Sequence, residues 1–502
     1  METLYLLGNG IAAAATDPSM LLAIFVGALV GLLIGALPGL GPTAGVAIML
    51  PVAVGFEPTV ALAILAGVYY GAMFGGAVTS ILLGIPGDAP SVMTVMDGYP
   101  LARMGQAGRA LGLATYASFI GGLIGLIGLT LMANVVSRYA LMFGPAEMTA
   151  LMLLSLSLVT VLGTDDRLKS FLALALGLFI GMIGLDQIMG GPRYTMGSMD
   201  LLEGIEFSLI AVGMFGLGQM FEALEEKTPD RVDAATYSYR SMMPRVADLI
   251  ATRVSLVMGS LIGFCIGVVP GAGATAATMM AYGAAKKMSK EPEKFGQGSL
   301  DGVAAPEAAN NSASYGAMVT LFTLGIPGSA TSAVLLAGLL MVGLQPGPRL
   351  FQEQAEFVWT LFGTFYIGNL ALVFITLLLT PLLAAAIFVS RGLLFAVVIG
   401  IVLYGIYSID LNLTSLMIMA AFGVLGYVMS KLRYPSVPVI MGVVLGPLLE
   451  LGVRRTLIAS RGNFDVFYSH PISLAILIMT VCVLVMPWLA RLSQRVMKPS
   501  QA

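Results

Sequence analysis

Apolar stretches of about 20 residues, enough for a helix to cross a bilayer, recur along nearly the whole chain, with few polar positions between them. A first hydrophobic hairpin is expected over residues 20–54, broken at Pro38–Pro42. An interrupted span follows at 59–90, then spans near 110–136, 141–163, 169–189 and 206–222. The most polar stretch, 223–249, carries Glu225, Glu226, Lys227, Asp230, Arg231 and Arg240 and reads as a cytoplasmic linker. A second hairpin over 250–285 is broken at Pro270–Gly273. A polar segment, 286–314, leads into a second interrupted span within 300–345, and later spans lie near 357–388, 392–409, 412–430, 435–451 and 471–490. The expected fold is an all-α integral membrane protein with about 11 crossings plus two hairpins. It divides into a first repeat (1–222), the linker and a second repeat (250–502).

Composition supports the bilayer as solvent. Hydrophobic residues make up 58% and charged residues 10% of 502, against about 25% charged in a typical soluble domain. The 61 glycines suit close helix packing in lipid. A net charge of −2 gives no footprint for nucleic acid. Cys265 and Cys482 lie far apart in apolar stretches, so packing is the expected role. The lone histidine, His470, sits in a polar loop, and a proton relay or His-ligated metal has little to work with. No Lys or Arg precedes Arg103, so the first apolar run lacks the basic start of a signal peptide and is kept as membrane structure.

Three runs recur in order. GLLIGALPGLGPTAG at 31–45 aligns without gaps on GFCIGVVPGAGATAA at 263–277, sharing Gly35/Gly267, Pro38/Pro270, Gly39/Gly271, Gly41/Gly273 and Thr43/Thr275. YGAM at 70–73 recurs at 315–318, and LGIPG at 83–87 recurs at 324–328. Duplication accounts for this better than composition. Basic residues flank the second hairpin (Arg245, Arg253, Lys286, Lys287, Lys290, Lys294) and not the first. By the positive-inside rule the two hairpins open to opposite sides, which inverts the second half. Arg454, Arg455 and Arg461 fall on the wrong side of that scheme.

A Pro-Gly-x-Gly inside a membrane helix frees backbone N–H and C=O groups that hydrocarbon cannot satisfy. Transporters built from inverted repeats use such breaks as midplane binding sites, with half-helix N-termini facing an anion and unwound carbonyls facing a cation. The alternative is a plain kink or surface turn. The candidate ligands are Pro38, Gly39, Gly41 and Thr43 at the first tip, with Thr79, Ser80, Gly84, Pro86, Gly87 and Asp88 at the first interrupted span. In the second half they are Pro270, Gly271, Gly273, Thr275, Glu307, Asn310, Asn311, Pro327, Gly328, Ser329 and Thr331. Asp88 reads equally as a ligand or a helix cap, and Glu307 as a cation ligand or a wet-loop residue. No Lys or Arg lies near these tips in sequence, so a bound anion would need backbone N–H groups, hydroxyls and a co-bound cation. That is the physical reason to expect ion coupling.

GLLIGALPGLGPTAG, YYGAMFGGAVTSILLGIPGDAPSVMTVMDGYPLARMGQAGRALG and PEAANNSASYGAMVTLFTLGIPGSATSAVLL resemble the large membrane subunit of tripartite tricarboxylate transporters, the TctA family. The resemblance spans nearly the whole chain. It implies a bacterial inner-membrane secondary transporter, working with a small membrane subunit and a periplasmic binding protein. It further implies sodium-coupled uptake of an organic carboxylate, with no cofactor. The carried-over positions are Pro38–Gly41, Ile85–Asp88, Pro270–Gly273, Asn310–Asn311 and Ile326–Ser329. The competing classes are a channel and a membrane-embedded enzyme. The enzyme would need clustered acids, His or Cys, which are scarce here.

Overall fold

The computed structural model describes residues 2–37, 39–162, 166–225, 239–386 and 391–496. Pro38 and positions 226–238 of the expected linker lie outside them. Nine of the described helices are long and apolar enough to cross a membrane, as an all-α multi-pass protein requires.

The chain forms two compact units, each made of two segments. Unit 1 holds residues 1–138 and 208–428. Its first half comprises α1 (Glu2–Thr16), α2 (Pro18–Gly35), α3 (Pro42–Ala53), α4 (Pro58–Leu83), α5 (Val92–Leu101) and most of α6 (Ala107–Ala140). Unit 2 supplies α7 (Pro145–Leu162), α8 (Arg167–Gly181) and a two-stranded antiparallel ribbon, β1 (Gly184–Leu185) with β2 (Pro192–Arg193). Unit 1 resumes with α9 (Phe207–Glu225), α10 (Val246–Gly267), α11 (Gly273–Met288), α12 (Leu300–Leu324), α13 (Ala330–Met341), α14 (Ala355–Ala386), α15 (Arg391–Asp410) and α16 (Leu413–Lys431). Unit 2 closes with α17 (Ser436–Ala459) and α18 (Pro471–Val496).

A small-residue seam occurs twice in unit 1. Gly27, Gly31 and Gly35 of α2 lie against the carbonyls of Ile64, Val68 and Ala72 in α4. Gly259, Gly263 and Gly267 of α10 lie against those of Ala305, Ala309 and Ala313 in α12. A Cβ at any of these six would run into backbone. Lipid gives no hydrophobic drive to helix pairing, so this close approach and its dispersion contacts hold the pairs together. Both seams share one register, which also superposes the two LGIPG runs. It does not superpose the two YGAM runs, which stand one helical turn out of step.

Four further expectations change. Helix α1 was not anticipated. The span at 169–189 stops at Gly181, where the chain turns into the ribbon through Gly184 at φ 121°. The segment 300–314 is helical rather than a polar approach. Ser299 caps it by accepting the Gly302 N–H at 3.2 Å, and the PEAANNSAS run is buried on every side. The span at 435–451 continues to Ala459, which puts Arg454 and Arg455 on a helix. In unit 2, Arg454 pairs with Asp186 (2.9 Å) and Glu450 (2.7 Å), and Arg193 with Glu450 (2.8 Å). Arg454 is thus tied up in ion pairs, which accounts for its poor fit to a rule that counts cationic flanks. The amides of Met189 and Ile188, with the Arg454 guanidinium, hold the Asp186 carboxyl down at about 2.

Candidate functional site

The site grows from the two interrupted helices of unit 1. Helix α4 ends at Gly84 (φ 69°) and α12 at Gly325 (φ 70°), both left-handed caps that a side chain would strain. Around Gly325 the freed groups are re-paired: its N–H reaches Leu321 O at 3.0 Å, and the Ile326 N–H reaches Thr320 O at 3.2 Å. Each chain then crosses an Ile-Pro-Gly step and starts again through a reciprocal cap. In the first half Asp88 N–H donates to Ser91 Oγ (3.1 Å), and Ser91 N–H donates to Asp88 Oδ1 (3.0 Å). In the second half Ser329 N–H donates to Ser332 Oγ (2.8 Å), and Ser332 N–H donates to Ser329 Oγ (3.2 Å). The device is the same, but the first half carries an acid where the second carries a hydroxyl.

Each hairpin tip rests on the Ile-Pro-Gly step of its own half. A Cβ on Gly87 would meet Gly35 O at 2.7 Å, and one on Gly328 would meet Gly267 O at 3.0 Å. The Gly271 N–H donates to Gly328 O at 3.1 Å. The halves also meet each other. Thr43 and Thr331 hydroxyls are 2.8 Å apart, and the Tyr69 hydroxyl is 3.4 Å from Ser329 Oγ. Thr43 and Thr331 sit in the first turns of α3 and α13, so two helix N-termini converge there. A helix start leaves N–H groups without intrahelical partners, and these, with the helix dipoles, favour an anion.

Not every predicted residue faces that point. Ser80 is committed to Gly76 O (2.8 Å), and Thr79 reaches the same carbonyl at 3.3 Å. Thr275 makes no cross-half bond like that of Thr43, and Gly39, Gly41, Pro86, Gly273 and Pro327 shape the turns. Glu307 is no loop residue: it is 1% exposed within α12, accepting from Thr94 (2.5 Å) and Ser118 (3.0 Å). Among the described residues, neither Asn310 carboxamide atom has a partner, nor does Asn311 Oδ1.

Two buried acids stand apart from the rest. Asp97 accepts backbone N–H bonds from Gly296, Gly298 and Ser299 and one from the Tyr282 hydroxyl. Asp248 pairs with Arg109, Glu147 with His470 and Asp186 with Arg454. Among the described residues, Glu307 has hydroxyl donors alone at its carboxylate. Asp88 has Ser91 on one oxygen and nothing on Oδ2. Neither has a basic partner among the described residues, so burial penalises the charged form of each. No cluster of three His, Cys, Asp or Glu occurs among the described residues.

The sequence reading missed Tyr69, Thr94, Asp97 and Ser118. It also passed over a second polar group, Tyr70, Ser312, Tyr315 and Asn369, each buried with an unpartnered polar atom. The YGAM recurrence was the one signal that pointed at Tyr70 and Tyr315.

A family model described as the tripartite tricarboxylate transporter TctA family matches residues 21–441. An uncharacterised 52.8 kDa protein from the TAR-I ttuC' 3' region of Agrobacterium vitis is 36% identical over 463 residues, 92% of each chain. A second uncharacterised protein, from the TAR-II ttuC' 3' region of the same organism, is 36% identical over 44% of this chain and 92% of its own. No solved structure matches.

Proposed function

The chain belongs to the tripartite tricarboxylate transporter TctA family, and from that premise we propose that it is the large subunit of a secondary active importer for a di- or tricarboxylate. The observation that carries the reading is the meeting of two helix N-termini at Thr43 and Thr331. First-turn N–H groups there would grip a carboxylate without a Lys or Arg. The two uncompensated acids, Asp88 and Glu307, call for positive charge from elsewhere, which supports coupling to Na⁺. The doubled seam and doubled cap support two repeats of inverted topology, with α2–α3 and α10–α11 as re-entrant hairpins. The setting is a bacterial inner membrane. A small membrane subunit completes the complex, and a periplasmic binding protein delivers the cargo.

Uptake of radiolabelled carboxylates into proteoliposomes, with and without an inward Na⁺ gradient, tests the proposal. Gradient-driven accumulation above the external concentration is expected, and Asn310→Ala and Ser329→Ala should weaken it at normal expression. Passive equilibration at high flux would make the protein a channel. Chemical turnover without transport would make it an enzyme.

A further inference from the structure

Tyr70 and Tyr315 are the first residues of the two YGAM runs, yet they do not occupy equivalent places in the repeat. The register that superposes the seams and the LGIPG runs sets Tyr70 opposite Asn311, and Tyr315 opposite Phe74. Duplication of a packing role would have kept them in step. Instead both rings pack on Phe365 of α14, with centroids 6.4 Å and 6.2 Å away. Each is 1% exposed, and neither hydroxyl has a partner among the described residues.

The surroundings repeat the theme. Ser312 Oγ, one turn before Tyr315, and Asn369 Oδ1, one turn after Phe365, are buried and unpartnered. Glycines make room for these polar ends. A Cβ on Gly368 would overlap the Tyr70 hydroxyl, one on Gly125 would stand 3.1 Å from Ser312 Oγ, and one on Gly122 would stand 3.0 Å from the Asn369 carboxamide carbon. Orphaned polar atoms are rare in folded interiors and costly inside a membrane. Several drawn from α4, α12 and α14 into one neighbourhood call for a shared occupant. Hydroxyls donate, and a carboxylate accepts at two oxygens.

We propose that the Tyr70 and Tyr315 hydroxyls are cargo-binding groups that donate to a carboxylate of the transported anion, with Ser312 beside them. This rests on the transporter reading and adds a subsite apart from the Gly/Pro breaks. The experiment measures half-saturating concentration for uptake in the complex reconstituted with its partner subunits. Succinate, L-malate and citrate are tried, and the best-transported one serves as probe. Tyr70→Phe and Tyr315→Phe remove one oxygen each and keep the ring contact with Phe365. Each should raise half-saturation by about tenfold, the loss expected for one hydrogen bond to a charged group, with thermal stability undiminished. Tyr366→Phe is the comparator. Its hydroxyl already has a partner, Thr130 at 2.9 Å, so half-saturation should stay at the wild-type value. Ser312→Ala should raise it and decides the matter should either Phe variant fail to accumulate. Wild-type half-saturation in the Tyr70, Tyr315 and Ser312 variants overturns the proposal while leaving the transporter intact. A wild-type protein that accumulates none of the three probes overturns both.

Discussion

Replacing Gly87 by Ala adds one methyl group at the point where the first hairpin meets its interrupted helix. Gly87 lacks a left-handed φ, so the substitution tests space rather than backbone strain. The new carbon would lie 2.6 Å from Gly76 Cα, 2.7 Å from Gly35 O and 2.8 Å from Thr79 Oγ1. Comfortable carbon contacts are about 3.5–4.0 Å, so the Ile-Pro-Gly step must move off α2 and α4 by roughly 1 Å. Two of the three obstacles are backbone and cannot swing aside. Overpacking of this kind costs about 1–3 kcal/mol, and displacement of the Ile-Pro-Gly step should also depress uptake. Gly8→Ala in α1 makes the same chemical change with nothing within 4 Å, and helix propensity favours it by about 0.8–1 kcal/mol. Thermal unfolding of both variants in one detergent should therefore move in opposite directions. A Gly87→Ala protein that unfolds at or above the wild-type temperature refutes the steric argument.

Two further outcomes follow from named contacts. Asp97→Ala strands the buried Ser299 N–H, at about 1–3 kcal/mol, and removes the acceptor of the Gly296 and Gly298 N–H groups and the Tyr282 hydroxyl. The yield of folded protein after extraction should collapse, and a normal yield would show that the 295–299 turn holds without its anchor. The Asp186 carboxyl is lowered from 3.8 to about 2 in the fold. Its stabilising contribution is therefore complete above about 3.8 and is lost as pH falls through about 2. Hydrogen exchange of the 182–206 segment should rise across that window in the wild type, whereas Asp186→Asn should lack the transition. Identical profiles in the two proteins would remove Asp186 from the account.

The apolar spans were legible because lipid leaves the sequence little freedom, and the breaks because Pro and Gly inside such spans have few other uses. Failures came where the physics is non-local. The partners of Asp97 are backbone amides two hundred positions away, and no residue type advertises them. The run PEAANNSAS looked like a wet approach because polarity normally signals water. Glu307 instead accepts from Thr94 and Ser118, Asn311 and Ser314 donate to carbonyls of their own helix, and Asn310 and Ser312 Oγ have no partner among the described residues. Asp88 resisted a choice between cap and ligand because its two oxygens differ: Oδ1 caps Ser91 and Oδ2 has no protein partner. The YGAM match is a sign of duplication in the sequence, and only the seam register shows that the tyrosines are out of step.

The two-segment make-up of unit 2 bears on how the chain is born. Helices α7 and α8 and the ribbon emerge early, but the strand of chain that completes their unit, 429–502, comes last. All of residues 208–428 must be synthesised in between, a delay of about 10 to 40 seconds at ordinary ribosomal speed. During that interval Asp186 and Arg193 wait for Glu450 and Arg454, and Gly177 lacks the α17 backbone it will rest on. The newborn protein is therefore most exposed to quality-control proteases in its 139–207 segment, and truncation anywhere before α17 should orphan that segment while sparing the start of unit 1.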